Sequence, residues 1–173
     1  MSQHLLFAVV AATTLVAACA SQSSNRSSDK FHTQLDEDWT YWMTEYPETA
    51  TAFGFPGQNM KWTDYSQSAI DKRAEYLKKS LQRLGGIDPA QLSADDRINY
   101  DLYRDLIDTA ARGLDFHNDA MPVKGVIPRN LLMPINQLEG VQQDIPRTFA
   151  MMPTVTREDY ENIVLRLERM GPL

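Results

Sequence analysis

An all-α fold is what this sequence predicts, in the form of an irregular helical array interrupted by one long proline-rich loop. Three observations predict it. Apolar residues recur at spacings of three and four along four separate stretches, as one buried helix face requires. Ser or Thr caps and Gly stops bracket several of those stretches. No segment carries a convincing strand signal.

The first stretch holds Phe31, Leu35, Trp39 and Trp42, which share one face of a helix expected from about Asp29 to Glu45. The acidic Asp36-Glu37-Asp38 run is expected to face mostly away from them. Pro47 restricts Tyr46 and starts a short turn to Phe53, which Gly54 closes. Tyr65-Ser66 suits a hydrophobic residue followed by an N-cap, and Ile70, Arg73/Ala74, Leu77, Leu81 and Leu84 carry the next helix to a Gly85-Gly86 stop. Asp88-Pro89 opens one more turn. Ser93-Ala94-Asp95-Asp96 resembles a capping box with Asp in place of Glu, and Ile98, Leu102, Leu106 and Ala110 mark the expected buried stripe of a helix ending near Gly113.

From Leu114 to Pro153 the rhythm is lost, with Pro122, Pro128, Pro134, Pro146 and Pro153 too closely spaced for a long helix. About forty irregular residues are unusual inside a compact domain, and loops of that kind are generally functional, partner-bound or mobile. A last helix is expected from Thr156, with Asp159 suited to its cap and Tyr160, Ile163, Leu167 and Met170 on one face, before Gly171-Pro172-Leu173. An apolar stripe that finishes without a closing partner is the expectation of an incomplete domain.

The N-terminus has a different character. Leu5 to Ala18 is uncharged and apolar apart from Thr13 and Thr14, the length of an export-signal core and too short to span a bilayer. It ends in Leu15-Val16-Ala17-Ala18-Cys19, which resembles the lipobox of bacterial lipoproteins, so Cys19 is the expected lipidation site and membrane contact. The pattern lacks a Lys or Arg ahead of the apolar core, and a cleavable signal with a chance cysteine or a buried N-terminal helix is the alternative. Ala20 after the cysteine resembles the outer-membrane-directed case, which places the expected anchor on the periplasmic face of that membrane. The Ser-rich residues that follow cannot bury enough apolar surface to fold. The expected organisation is therefore a signal peptide over 1–18, a tether over 19–28 and a helical segment over 29–173.

Composition narrows the function classes. A net charge of -6 and a densest basic patch of only Lys72-Arg73 with Lys78-Lys79 argue against a nucleic-acid partner. Cys19 is the only cysteine, so neither an intrachain disulfide nor a Cys-based zinc site can form. Of the three histidines, His4, His32 and His117, none is followed by Glu or lies near another, so no metallohydrolase helix is present. The best local metal candidate is Asp115-Phe116-His117-Asn118-Asp119. In an extended chain Asp115, His117 and Asp119 would point the same way, although a polar turn after a helix explains them as well. Asn136 and Gln137, in the proline-rich segment, offer amides able to contact a peptide backbone, against ordinary loop self-satisfaction. Trp39, Tyr41, Trp42 and Tyr46 form an aromatic cluster suited to core packing or to a cleft. Phosphate loops and nucleophile elbows are absent.

Four stretches together carry a family resemblance: Trp39 to Phe53, with its W…Y-P-E-x-A-T-x-F-G pattern; Trp62-Thr63-Asp64-Tyr65-Ser66; Gly86 through Leu102; and Pro134-Ile135-Asn136-Gln137 through Gly140. In these the chain, over about residues 31 to 173, resembles the start of the domain of unknown function 885 family, large bacterial proteins often exported as lipoproteins. Members are similar to helical zinc metallopeptidases, and the resemblance implies a His-Glu-x-x-His helix far downstream of this segment. No position here matches that motif, so no catalytic or metal residue carries over and no cofactor is expected within this chain. The resemblance implies zinc for the full-length family and, for this segment, a helical wall or lid over a peptide cleft completed elsewhere. A self-contained envelope lipoprotein that binds a protein or peptide is the competing expectation.

Overall fold

A computed structural model describes residues 26–122, 129–137 and 140–170. Cys19, the export signal and most of the expected tether lie outside them. Six α-helices order the described residues: α1 (26–45), α2 (Pro47–Ala52), α3 (Gln67–Gly85), α4 (Ala94–Gly113), α5 (Val141–Met151) and α6 (Arg157–Glu168). Two 3-10 turns, Pro89–Gln91 and Leu114–Phe116, and two isolated antiparallel bridges join them, and no strand occurs among the described residues. The fold is all-α, as expected from the apolar rhythm.

Local signals set most boundaries. Ser66 caps α3 by accepting from the Ala69 amide, Asp88 accepts from Ala90 at the first 3-10 turn, and Thr156 and Asp159 form a reciprocal capping box on α6. Gly54, with φ 69°, ends the turn after α2 in a conformation that suits glycine. Helix α1 reaches back at least to residue 26, so the last residues assigned to the tether are helical, and Ser28 is buried with its hydroxyl on Asp96.

The main core lies where α1, α3 and α4 meet, around Phe31, Trp42, Leu77, Leu84, Tyr100 and Ile107. Phe31 and Tyr100 pack ring to ring at 5.8 Å, and the Tyr100 hydroxyl donates to the Leu84 carbonyl. Trp39 is the exception on the expected α1 face, since it lies at the surface in an edge contact with Phe53.

Three helix faces differ from the rhythm. Asp38, in an acidic run expected to face outward, is 1% exposed and accepts hydrogen bonds from Tyr76, Ser80, Arg83, Tyr103 and Gln34. These donors from three helices replace its water shell, which makes burial of the carboxylate tolerable. On α4 the buried residues are Asp96, Tyr100 and Ile107, whereas Ile98, Leu102 and Leu106 are 61%, 66% and 38% exposed. The face with larger aromatic rings and polar handles won the core, because Tyr100 and Tyr103 bury rings while their hydroxyls find acceptors. On α6 the buried residue is Arg166, and Tyr160 and Leu167 face solvent.

The segment expected to be irregular contains α5. Pro146 lies inside that helix, where it removes one backbone hydrogen bond, and the helix persists because Thr148 and the following Met152 are buried against the rest of the fold. Gly140 precedes α5 with φ 139°, and a Cβ there would lie 3.0 Å from the backbone of Pro134 and Ile135. No helix among the described residues is long and apolar enough to cross a membrane.

Candidate ligand groove

A groove of about 720 Å³ opens between α2, residues 62–66 and α5. Its volume lies in the range of small-ligand pockets. Phe53, Trp62, Ile145 and Met151 give it apolar walls, and Glu48, Asp64, Asp144, Arg129 and Arg147 supply the charges.

Each wall is positioned from beneath. Trp62 donates its ring N–H to the Arg166 carbonyl at 2.9 Å, and the Arg166 guanidinium lies 4.9 Å from the centre of that ring. Arg166 itself is fully buried and donates to the Lys61 carbonyl and the Thr51 hydroxyl, so it clips α6 to the 58–63 loop and to α2. Phe149 of α5 meets the Trp62 ring edge-on. Thr63 donates both its amide and its hydroxyl to Glu48, which fixes the loop against α2.

The floor is a chain of aromatic and charged groups. The buried Tyr46 hydroxyl donates to Asp119, and Arg73 lies 5.0 Å from the Tyr46 ring and 5.7 Å from the Tyr65 ring while donating to the Asp64 carbonyl. Arg129 donates to the Tyr65 hydroxyl at 2.7 Å and pairs with Asp144 of α5. Burial, followed by the charge of Asp119, raises the Tyr46 phenol well above its ordinary range, and the same two causes push Tyr65 up to about 12. Both phenols therefore stay protonated at neutral pH and act as hydrogen-bonding groups rather than bases.

The residues expected as metal ligands do not converge. Asp115 lies in a 3-10 turn, His117 adopts a left-handed conformation with φ 60°, and both are exposed, whereas Asp119 turns inward to Tyr46 and to the Ala120 amide. The alternation of an extended chain is lost there, and among the described residues no three His, Cys, Asp or Glu side chains gather as metal ligands. Asp115, His117 and Asp119 so placed do not form a zinc donor set. His32 is engaged elsewhere, 2.7 Å from Asp96, so Asp96 faces α1 as well as the Ser93 cap.

Asn136 and Gln137 flank the approach to α5, where their carbonyls accept from the side chains of Gln142 and Gln143. Neither lines the groove. The groove is built instead from two other stretches of the resemblance, since Trp62-Thr63-Asp64-Tyr65-Ser66 lines it throughout and Tyr46, Glu48, Thr49, Ala52 and Phe53 line it as well. Arg129, Asp144 and Arg147 carried no sequence signal beyond their place in the proline-rich segment.

Fold and groove together define a helical protein with an amphipathic groove beside a three-helix core. The family model described as "Bacterial protein of unknown function (DUF885)" matches residues 47–173, and the chain belongs to that family. The match begins at α2, so α1 lies ahead of it, where the resemblance was expected from about residue 31. No curated protein and no solved structure matches the chain.

Proposed function

We propose that this chain is the N-terminal helical scaffold of an exported, lipid-anchored, zinc-peptidase-like protein, and has no catalytic centre of its own. The observation that carries the reading is the solvent-exposed apolar periodicity of α4 and α6. Ile98, Leu102 and Leu106 follow one another at helical spacing on one surface of α4, and Tyr160, Val164 and Leu167 do so on α6. Contiguous apolar faces of this kind are made to be covered. Family membership supports the reading, and the resemblance to helical metallopeptidases supplies the zinc and the peptide substrate to the part beyond this segment. Cys19 would tie the whole to the periplasmic face of the outer membrane.

A second reading draws on the groove: a small envelope lipoprotein that binds a protein or peptide by itself. The reading frame beyond Leu173 separates the two. Continuation to a His-Glu-x-x-His helix, together with zinc-dependent hydrolysis by the longer product, is the outcome expected of the scaffold. A stop codon after Leu173 and a monomer that melts cooperatively without binding an apolar dye would overturn it in favour of the binding module.

A further inference from the structure

Side-chain contacts define the two ends of the three-helix core. At the first end, Ser28 and His32 near the start of α1 both reach Asp96 in the first turn of α4, and Arg26 and Lys30 share a cleft with Gly86 and Ile87, which follow α3. At the second end, Lys72, early in α3, pairs with Glu45 of α1, and the Tyr46 hydroxyl donates to Asp119, beyond the end of α4. Helices α1 and α4 therefore run in one direction and α3 runs against them. The groove belongs to the second end, since it is lined by Tyr46, which follows α1, and by Ser66, which caps the start of α3. Residues 26–45 of α1, at about 1.5 Å each, separate the two ends by about 30 Å.

From Cys19 to Arg26, the first described residue of α1, even a fully extended chain reaches at most about 25 Å. We propose that the first end faces the lipid surface in the anchored protein, with Arg26 and Lys30 against headgroup phosphates, and that the groove opens on the side away from the membrane. The inference rests on the reading of Cys19 as the acylated residue. With that acyl group in the bilayer, the start of α1 stays within the reach of the intervening chain, whereas the groove end comes as close only if the domain lies on its side. Charge opposes that posture. Exposed Asp36 and Glu37, farther along α1, would be pressed against an anionic surface, while at the first end exposed Arg26, Lys30 and Arg97 balance exposed Asp29, Asp88 and Asp95. Most of the net charge of -6 thus lies away from the end that meets the lipid.

Fluorescence quenching on vesicles tests it. The full chain, exported with its own signal and checked by mass for the acyl group, is reconstituted into vesicles of phosphatidylethanolamine and phosphatidylglycerol that contain a lipid with a nitroxide headgroup. Acylation blocks the Cys19 thiol, so a cysteine introduced at an exposed site takes the fluorophore alone: Ala90→Cys at the first end, or Asp115→Cys just beyond the far end of α4. Expected is quenching several-fold stronger at position 90 than at position 115. Arg26→Gln combined with Lys30→Gln lowers that ratio, and removing phosphatidylglycerol lowers it less in the variant than in the parent. Equal quenching at the two positions of an acylated chain, or stronger quenching at 115, would overturn this inference and leave the lipid anchor standing. An unchanged ratio in the double variant would overturn the headgroup contacts. A chain without an acyl group would remove the anchor and this inference together, and the mass alone tells that failure from the others.

Discussion

Asp38 on α1 accepts a hydrogen bond from Arg83 on α3 at 2.6 Å, with the carboxylate 1% exposed and the guanidinium reaching toward solvent. The same carboxylate takes the hydroxyls of Tyr76 and Tyr103, so one buried charge ties α1, α3 and α4 together at the edge of the apolar core. The arrangement makes the carboxylate a structural hub.

Asp38→Ala leaves several buried donors without an acceptor and is expected to destabilise the fold by about 3 kcal/mol. Urea unfolding followed by circular dichroism measures it. A change within about 0.5 kcal/mol, the range of an ordinary surface site, would contradict the hub.

Arg166 is the corresponding clip for α6. Replacing it with Met removes the hydrogen bonds to Lys61 and Thr51 and the contact with the Trp62 ring. Amide hydrogen exchange is expected to accelerate in α6 and in residues 58–63 while α3 and α4 keep their protection. Uniform acceleration across all helices would show that α6 is not a separately anchored element.

Acid should loosen the α1–α4 contact. The side chains of Ser28, His32 and Ser93, in that order of effect, hold the Asp96 carboxyl down to about 2 from an ordinary value near 3.8. A carboxyl depressed in the folded state adds stability that is complete above the unfolded value and is lost as pH falls toward the folded one. The urea midpoint should therefore fall between pH 3.8 and about 2, and Asp96→Asn should flatten that part of the profile. An unchanged slope in the variant would count against the Asp96 contacts.

Gly140→Ala should weaken α5. Its φ of 139° disfavours any side chain, and the added Cβ would press on the backbone of Pro134 and Ile135, so about 1 to 3 kcal/mol is expected. Thermal unfolding reads the loss, and a melting temperature equal to that of the parent would refute the strain.

On the exposed face of α4, Leu102→Lys should change stability by no more than about 0.5 kcal/mol. It should, however, lower the binding of an apolar dye, because Leu102 is the centre of the Ile98-Leu102-Leu106 surface. Leu77→Ala, in the core, provides the contrast at about 2 to 5 kcal/mol. A large loss from Leu102→Lys would mean that this face is packed after all.

Helix positions were legible because caps and stops are local: Ser66, Ser93, Thr156 and the glycines after α2 and α3 act on residues three or four away. Which face of α4 or α6 is buried was not legible. Apolar spacing marks a surface to be covered, and Ile98-Leu102-Leu106 satisfies that pattern as well as the face carrying Tyr100 and Ile107 does. The buried roles of Asp38 and Arg166 depend on donors and acceptors as far as 65 and 115 residues away, which no spacing rule can see. Helix α5 was hidden by Pro146, whose local penalty is outweighed by tertiary packing. In the groove, the Trp62 to Ser66 stretch stood out by resemblance, but its role emerged only when α5 closed over it.

The intact mass of the native protein, extracted from membranes and captured through α3 and α4, tests the scaffold reading most directly. The account predicts a product acylated at Cys19 and much heavier than 19.7 kDa. An acylated product close to that mass would contradict it and leave a self-contained binding lipoprotein, and an unacylated product would remove the membrane anchor.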